Sequence, residues 1–164
     1  MIEPDGPRAY LTSEGRERLE RRLESYIQQL RLLRAVLPDH DDDSEEADAA
    51  GRLQTEDDIS QLQGMIDRLR ALLVRALPLA AGPDDGIVRQ GCTVVVRDDA
   101  GGERRFQLLD GAEMEDDAAG AAVDSPIGRA LIGRSAGDSV AVRAPSGERR
   151  LIILSVEQYH PHSG

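Results

Sequence analysis

Residues Asp39-His40-Asp41-Asp42-Asp43-Ser44-Glu45-Glu46-Ala47-Asp48 place seven carboxylates within ten positions. Carboxylates crowded this closely repel one another, and a bound cation relieves that repulsion. Their oxygens are the ligands that a hard ion such as Mg²⁺ prefers. The chemistry open to this run is therefore the capture or positioning of a divalent cation. Two plainer readings stand beside it. A solvated acidic turn followed by acids at a helix start accounts well for Asp43, Glu45 and Glu46, because each favours the helix dipole. A calcium loop is suggested by the alternation of Asp39, Asp41 and Asp43. Against it, Ser44 and Ala50 stand at the sixth and twelfth positions, where such a loop uses Gly and Glu. His40 reads as a solvated neighbour of the run, not as a ligand.

The run lies between two segments with helical periodicity. The first is opened by Thr12 or Ser13 as a cap, with Glu14 in its first turn. It carries Leu19, Leu23, Tyr26, Leu30, Leu33 and Leu37 in alternating steps of four and three, an apolar seam of coiled-coil type, and Pro38 stops it. The second is predicted to begin at Asp43 or Ser44, where Asp43 and Glu46 fit a capping box. Its seam is Ile59, Leu62, Ile66, Leu69, Leu73 and Ala76, and Pro78 followed by Gly82-Pro83 ends it. Gly51 and Gly64 each weaken this helix by about 1 kcal/mol relative to Ala. Two seams of similar length predict an antiparallel hairpin that buries both seams within one chain, and the short connector favours it over the rival open homodimer, so a monomer is expected when the protein is free. From Ser13 to Leu37 the first helix would be about 37 Å long at 1.5 Å per residue, which carries the acidic run to the end of a narrow rod.

After residue 86 the period changes from helical to two. Thr93 to Arg97 and Glu103 to Leu109 read as strands around an Asp98–Gly102 turn. Asp110 to Asp124 reads as irregular and acidic. Pro126 to Ile132 reads as a short helix with Ser125 at its cap and Gly133 at its end, and Ser139–Arg143 and Glu148–Glu157 as the last strands. The predicted fold class is α+β. Residues 1–79 form an N-terminal coiled-coil hairpin with its acidic tip at 39–48, 80–86 a linker, and 87–164 a small C-terminal α+β domain.

Composition narrows the function. The chain has 164 residues with 20 basic against 31 acidic side chains, a net charge of −11. Such a chain is repelled by phosphate backbones, so autonomous nucleic-acid binding is not expected. All the basic residues are Arg, which excludes lysine Schiff-base chemistry. Cys92 is the only cysteine and reads as a small buried side chain. The aromatic residues are Tyr10, Tyr26, Phe106 and Tyr159, too few for base-stacking platforms. Met1–Asp5 is acidic and unlike a signal peptide, and the apolar stretch Ala71–Ala81 is interrupted by Arg75 and Pro78. A cytoplasmic protein without membrane association is expected.

The stretch Ser125-Pro126-Ile127-Gly128-Arg129-Ala130-Leu131-Ile132-Gly133, with Gly137-Asp138-Ser139-Val140 and Pro145-Ser146-Gly147, resembles the C-terminal signature of the Gre transcript cleavage factors. Leu11-Thr12-Ser13-Glu14-Gly15, followed by Arg18-Leu19, is similar to the start of that family, so the resemblance runs from Tyr10 to Val156. It implies a C-terminal domain of FKBP-like fold that docks on the rim of the secondary channel of bacterial RNA polymerase. It also implies a coiled coil that enters the channel and a tip that reaches the active-site Mg²⁺. In cleavage-competent members two tip carboxylates help hold the second metal and a water, and the polymerase, not the factor, cuts the backtracked RNA. The factor is then no enzyme and has no cofactor of its own. The implied docking residues are Ser125, Pro126, Ile127, Gly128 and Arg129, of which Arg129 is the best polar candidate.

At the tip the chain departs from that pattern. With Gly64-Met65-Ile66 set on the family's Gly-Arg-Ile, the two metal-holding positions fall on Glu45 and Asp48, whereas counting from Leu19 puts the first on Glu46. Ala49, Gly51 and Arg52 replace the family's Asn, second Glu and Tyr. Asp39, Asp41, Asp42 and Asp43 are additional acids, and inhibitory paralogues of the family also carry aspartate-crowded tips. The candidate contacts to the polymerase Mg²⁺ are thus Asp41, Asp42, Asp43, Glu45, Glu46 and Asp48. The resemblance implies a modulator or inhibitor of polymerase catalysis, with stimulation of transcript cleavage as the alternative. A coiled-coil adaptor without an active-site role is a further alternative. Prolyl isomerisation, which the FKBP-like fold invites, is disfavoured because this domain offers only Phe106 and Tyr159 to line a pocket.

Overall fold

The computed structural model describes residues 8–36, 47–114, 120–145 and 147–161. These form two compact units, one of the described residues within 16–75 and one that joins residues 8–15 to the described residues from 76 onward. The α+β class is as predicted.

The helical unit contains most of α1 (Ser13–Val36) and all of α2, described from Ala47 to Arg75. The α1 boundaries follow the capping and proline signals. The expected α2 start at Asp43 or Ser44 lies outside the described residues. Burial follows the 3-4 spacing: Leu19, Leu62, Ile66, Leu69 and Leu73 are buried, and Leu23, Tyr26, Leu30, Leu33 and Ile59 are half-buried. Between the helices Arg34 Nη2 donates to Gln63 Oε1 (3.0 Å), and Arg16 Nη2 to the Leu73 carbonyl (3.4 Å). The late part of α1 thus meets the middle of α2 and the early part meets its end, so the helices run antiparallel. A pair of helices covers each seam from one side only, which is why half of the seam residues keep some exposure. Among the described residues no helix is long and apolar enough to cross a membrane.

The second unit is built on a five-stranded mixed sheet with strand order β5-β4-β3-β7-β6. Its strands are β3 (Thr93–Asp98), β4 (Glu103–Leu109), β5 (Gly120–Ala122), β6 (Ser139–Ala144) and β7 (Gly147–Glu157), and only the β4–β5 pair is parallel. Alternation sends Val94, Val96, Leu108, Val140, Val142, Leu151 and Ile153 to one face, where they form a core with Val88, Ala121 and Leu131. Leu131 comes from the short helix α3 (Pro126–Leu131), which packs on that face. Cys92 is buried as expected, and its thiol donates to Gln158 Oε1 at 3.0 Å.

Two features of this unit depart from the sequence reading. A short strand pair has no counterpart there: β1 (Tyr10–Leu11) pairs in parallel with β2 (Leu77–Pro78), and Leu77 N donates to the Ala9 carbonyl at 2.9 Å. The stretch Asp110–Asp124 also contains more order than its acidity suggested. A 3-10 turn at Gly111–Glu113 leads toward β5, and Glu113 is only 2% exposed. Its carboxylate accepts from the Thr12 amide (2.9 Å) and the Thr12 hydroxyl, which in turn accepts from the Gly15 amide as the cap of α1. A Cβ on Gly15 would lie 1.7 Å from Glu113 Oε2, so the carboxylate occupies the space that glycine leaves. Beside it the Tyr159 hydroxyl accepts from the Ser13 amide at 2.9 Å.

The stretch expected to be a linker also holds an ion pair. Arg89 donates to both oxygens of Asp85 (2.6 and 2.7 Å), and the Ile87 amide adds a third bond. The Arg89 guanidinium first, then that amide, hold the Asp85 carboxyl at about 2. Because the folded value is depressed, the pair's contribution is present above the unfolded aspartate range near 4 and is lost as pH falls through 2. A carboxyl NMR titration should place Asp85 near 2, and Arg89→Gln should return it toward the ordinary aspartate range.

Candidate functional site

The sequence-predicted docking residues occupy one short helix and its approach. Ser125 caps α3 with its hydroxyl accepting from the Gly128 amide (3.1 Å) while donating to the Ala122 carbonyl (2.6 Å). Pro126 stands in the first turn, where its missing N–H costs nothing. Gly128 is buried, and a Cβ there would lie 2.1 Å from the Ala122 carbonyl oxygen and 2.9 Å from Val123 backbone atoms. The turn before α3 therefore folds directly against the helix. Ile127 and Ala130 pack on the core, Leu131 is fully buried, and the Gly133 amide donates to Val88 O at 2.9 Å. Of the five, Ile127, Gly128 and Ser125 build the frame, while Pro126 and Arg129 face outward. Ser125→Ala should lower stability by about 1 kcal/mol, the usual value of a side-chain cap, measured by denaturant unfolding.

α3 separates two concave surfaces. On the side of Pro126 and Ile127 lies a groove of about 350 Å³, floored by Phe106, Ile127, Val142 and Leu151, with Pro126 and Pro145 at its edge. Arg104, Arg143 and Arg149 stand around it, with Asp98 at the turn. The Asp98 carboxylate is engaged in its own loop by the Ala100 (3.0 Å) and Gly102 (2.8 Å) amides. On the other side Arg129 and Ile132 border a shallower surface with Arg89, Gln90 and Val123. The structure thus keeps Pro126 and Ile127 together but turns Arg129 to the opposite flank.

Sequence reasoning missed Arg104 and Arg149 as members of this surface. Period two was the signal that could have found them. Each lies two residues before a core residue, Phe106 or Leu151, on the same face of its strand.

The candidate magnesium contacts Asp41, Asp42, Asp43, Glu45 and Glu46 lie outside the described residues. Asp48 falls in the first turn of α2, with its side chain outside the description.

The description "Transcription elongation factor, GreA/GreB, C-term" matches residues 83–158, which hold the whole sheet and α3. The transcription elongation factor GreA of Chloroflexus aurantiacus is 34% identical over 153 residues, spanning 90% of this chain and 96% of that relative. The chain belongs to the Gre family. GreA of Cereibacter sphaeroides is 36% identical over 98 residues, and that match spans 59% of this chain and 65% of that relative, under two thirds of its length. Among solved structures, Gfh1 of Thermus aquaticus is similar at 25% identity and a TM-score of 0.43, covering 93% of this chain and 99% of that one. The Gre membership inferred from Ser125–Gly133 and Leu11–Gly15 is therefore met by similarity along nearly the whole chain.

Proposed function

We propose that this Gre-family chain binds bacterial RNA polymerase at the rim of the secondary channel and acts there as an accessory factor, not as an enzyme. The α3 region docks, with Ser125, Ile127 and Gly128 fixing the frame and Pro126 and Arg129 presented to the partner. The tip carboxylates Asp41, Asp42, Asp43, Glu45, Glu46 and Asp48 act on the polymerase's active-site Mg²⁺. The observation that carries the docking part is the tightly built α3 motif, whose outward residues are not needed for its own packing. The donor set fits the ion, since hard Mg²⁺ takes carboxylate oxygen. Its charge density beyond the Glu45–Asp48 pair favours holding the ion unproductively, which makes the chain a modulator or inhibitor of catalysis in the cytoplasm.

Stimulation of transcript cleavage is the second reading, favoured by the three-residue spacing of Glu45 and Asp48. Two-metal phosphoryl chemistry needs carboxylates that complete a metal site and orient a water. Mixing the protein with purified, backtracked polymerase complexes separates the two. Little added release of short 3′ RNA fragments is expected. Rapid release that disappears in Glu45→Ala and Asp48→Ala would replace the inhibitor reading with the cleavage one, and no association with polymerase would sink both.

A further inference from the structure

The groove beside α3 carries two cations that the fold itself does not use. On the opposite face of the sheet Arg97 is paired with Glu103 (2.7 Å) and Arg105 with Glu157 (2.9 Å), and Arg143 at the sheet edge approaches Glu148 at 3.6 Å. Arg104 and Arg149, on the core face of β4 and β7, have no ion pair or side-chain hydrogen bond among the described residues, and both side chains line the groove. Asp98, the acid at the same mouth, is occupied by two backbone amides. A positive mouth is thus maintained on a chain whose net charge is −11. Below the mouth the floor is apolar: Phe106, Ile127, Val142 and Leu151. A site of about 350 Å³ is at the small end of the range for ligand pockets, roughly 300–1,000 Å³. That size suits a short protein segment and not a folded surface.

We infer that this groove is the specificity-determining half of the docking site: Arg104 and Arg149 select a segment of the polymerase in which an apolar side chain is flanked by carboxylates. The inference rests on the polymerase reading above and adds residues and a partner chemistry to it. The apolar side chain enters between Phe106 and Ile127, while its acidic neighbours meet the two guanidinium groups at the rim. Arginine suits that role because its planar fork takes a carboxylate through two parallel hydrogen bonds. The low cost of desolvating guanidinium relative to ammonium adds to the preference. Positive charge at the mouth also offsets the repulsion that a strongly acidic chain otherwise meets on approaching an acidic partner.

Two measurements on the full chain test this. In the first, a blocked five-residue peptide with leucine between paired aspartates is titrated into isotopically labelled protein, with a lysine-flanked peptide and a mononucleotide as comparators. Saturating amide shifts at Phe106, Ile127 and Leu151 are expected with the acidic peptide alone. Equal shifts from the lysine peptide, or shifts from the nucleotide only, would overturn the inference. In the second, polymerase affinity is compared for the parent, Arg104→Glu/Arg149→Glu and Arg105→Glu, with Arg104→Gln/Arg149→Gln in place of the charge reversal if the latter does not fold. The groove pair should lose at least tenfold, more steeply at low salt, and Arg105→Glu, on the opposite face of the sheet, less than threefold. Unchanged polymerase binding by the groove variants sinks the groove assignment and leaves the docking reading standing. Absence of binding by the parent sinks the docking reading itself, while the peptide titration still decides whether the groove holds an acidic-apolar segment.

Discussion

Gly128→Ala should destabilise the C-terminal unit by about 2 kcal/mol, although alanine is the better helix former. Two opposing effects meet at this position. Replacing glycine within a helix gains about 1 kcal/mol in propensity and reduces the freedom of the unfolded chain. Against this, the new methyl would lie 2.1 Å from the Ala122 carbonyl oxygen, far inside contact distance. That oxygen cannot move away cheaply, because the Ser125 amide (2.9 Å) and hydroxyl (2.6 Å) both donate to it. Overpacking against a backbone atom costs about 1–3 kcal/mol and occasionally more, and here the upper end applies. Thermal unfolding of the full chain should show the C-terminal transition lowered by roughly 10 °C or more. Stability equal to the parent would mean that the turn and helix separate more easily than their hydrogen bonds imply.

Removal of the buried carboxylate is the second large effect. Glu113→Ala should cost about 3 kcal/mol, because it strands the Thr12 amide of a residue that is only 1% exposed. Hydrogen bonds to a charged acceptor are worth about 1.5–3 kcal/mol, and the orphaned donor adds its own desolvation. Glu113→Gln keeps one carbonyl oxygen and the shape, so a smaller loss of about 1 kcal/mol is expected in urea unfolding. Gly15→Ala acts on the same contact from the other side and should also destabilise, since its methyl takes the place of the Glu113 carboxylate. If the alanine and glutamine variants of Glu113 were equally stable, the Thr12 contacts would contribute nothing.

The elements most legible in the sequence were those with a sustained period. Six seam positions at 3-4 spacing announced each helix, and the buried set Leu62, Ile66, Leu69 and Leu73 follows that register residue by residue. The strands around the Asp98–Gly102 turn and the Ser125-Pro126 helix start were legible for local reasons, in turn chemistry and capping. The parts missed lack any local signal. β1 and β2 are two residues each, too short to show alternation, and their pairing joins positions 67 residues apart. β5 is Gly120-Ala121-Ala122, residues of low strand propensity in an acidic stretch, held by parallel pairing to β4. Glu113 lay in a stretch read as irregular and acidic, where nothing marked it for burial, since charged residues are rarely buried. Its partner Thr12 lies 101 positions away, beyond the reach of any pattern. At the proposed docking site the frame residues were legible as a motif, while Arg104 and Arg149 needed the sheet register to bring two strands to one groove.

The central claim is that the acidic tip acts on polymerase catalysis after α3 has docked. It is tested most directly by the rate of single-nucleotide addition by purified bacterial RNA polymerase on a defined elongation complex, with and without saturating protein. The account predicts slower addition with the parent chain and a return toward the unassisted rate with Asp41→Asn/Asp42→Asn, whose docking residues are intact. An unchanged rate with the bound parent chain, or equal slowing by the parent and the neutralised tip, would contradict it.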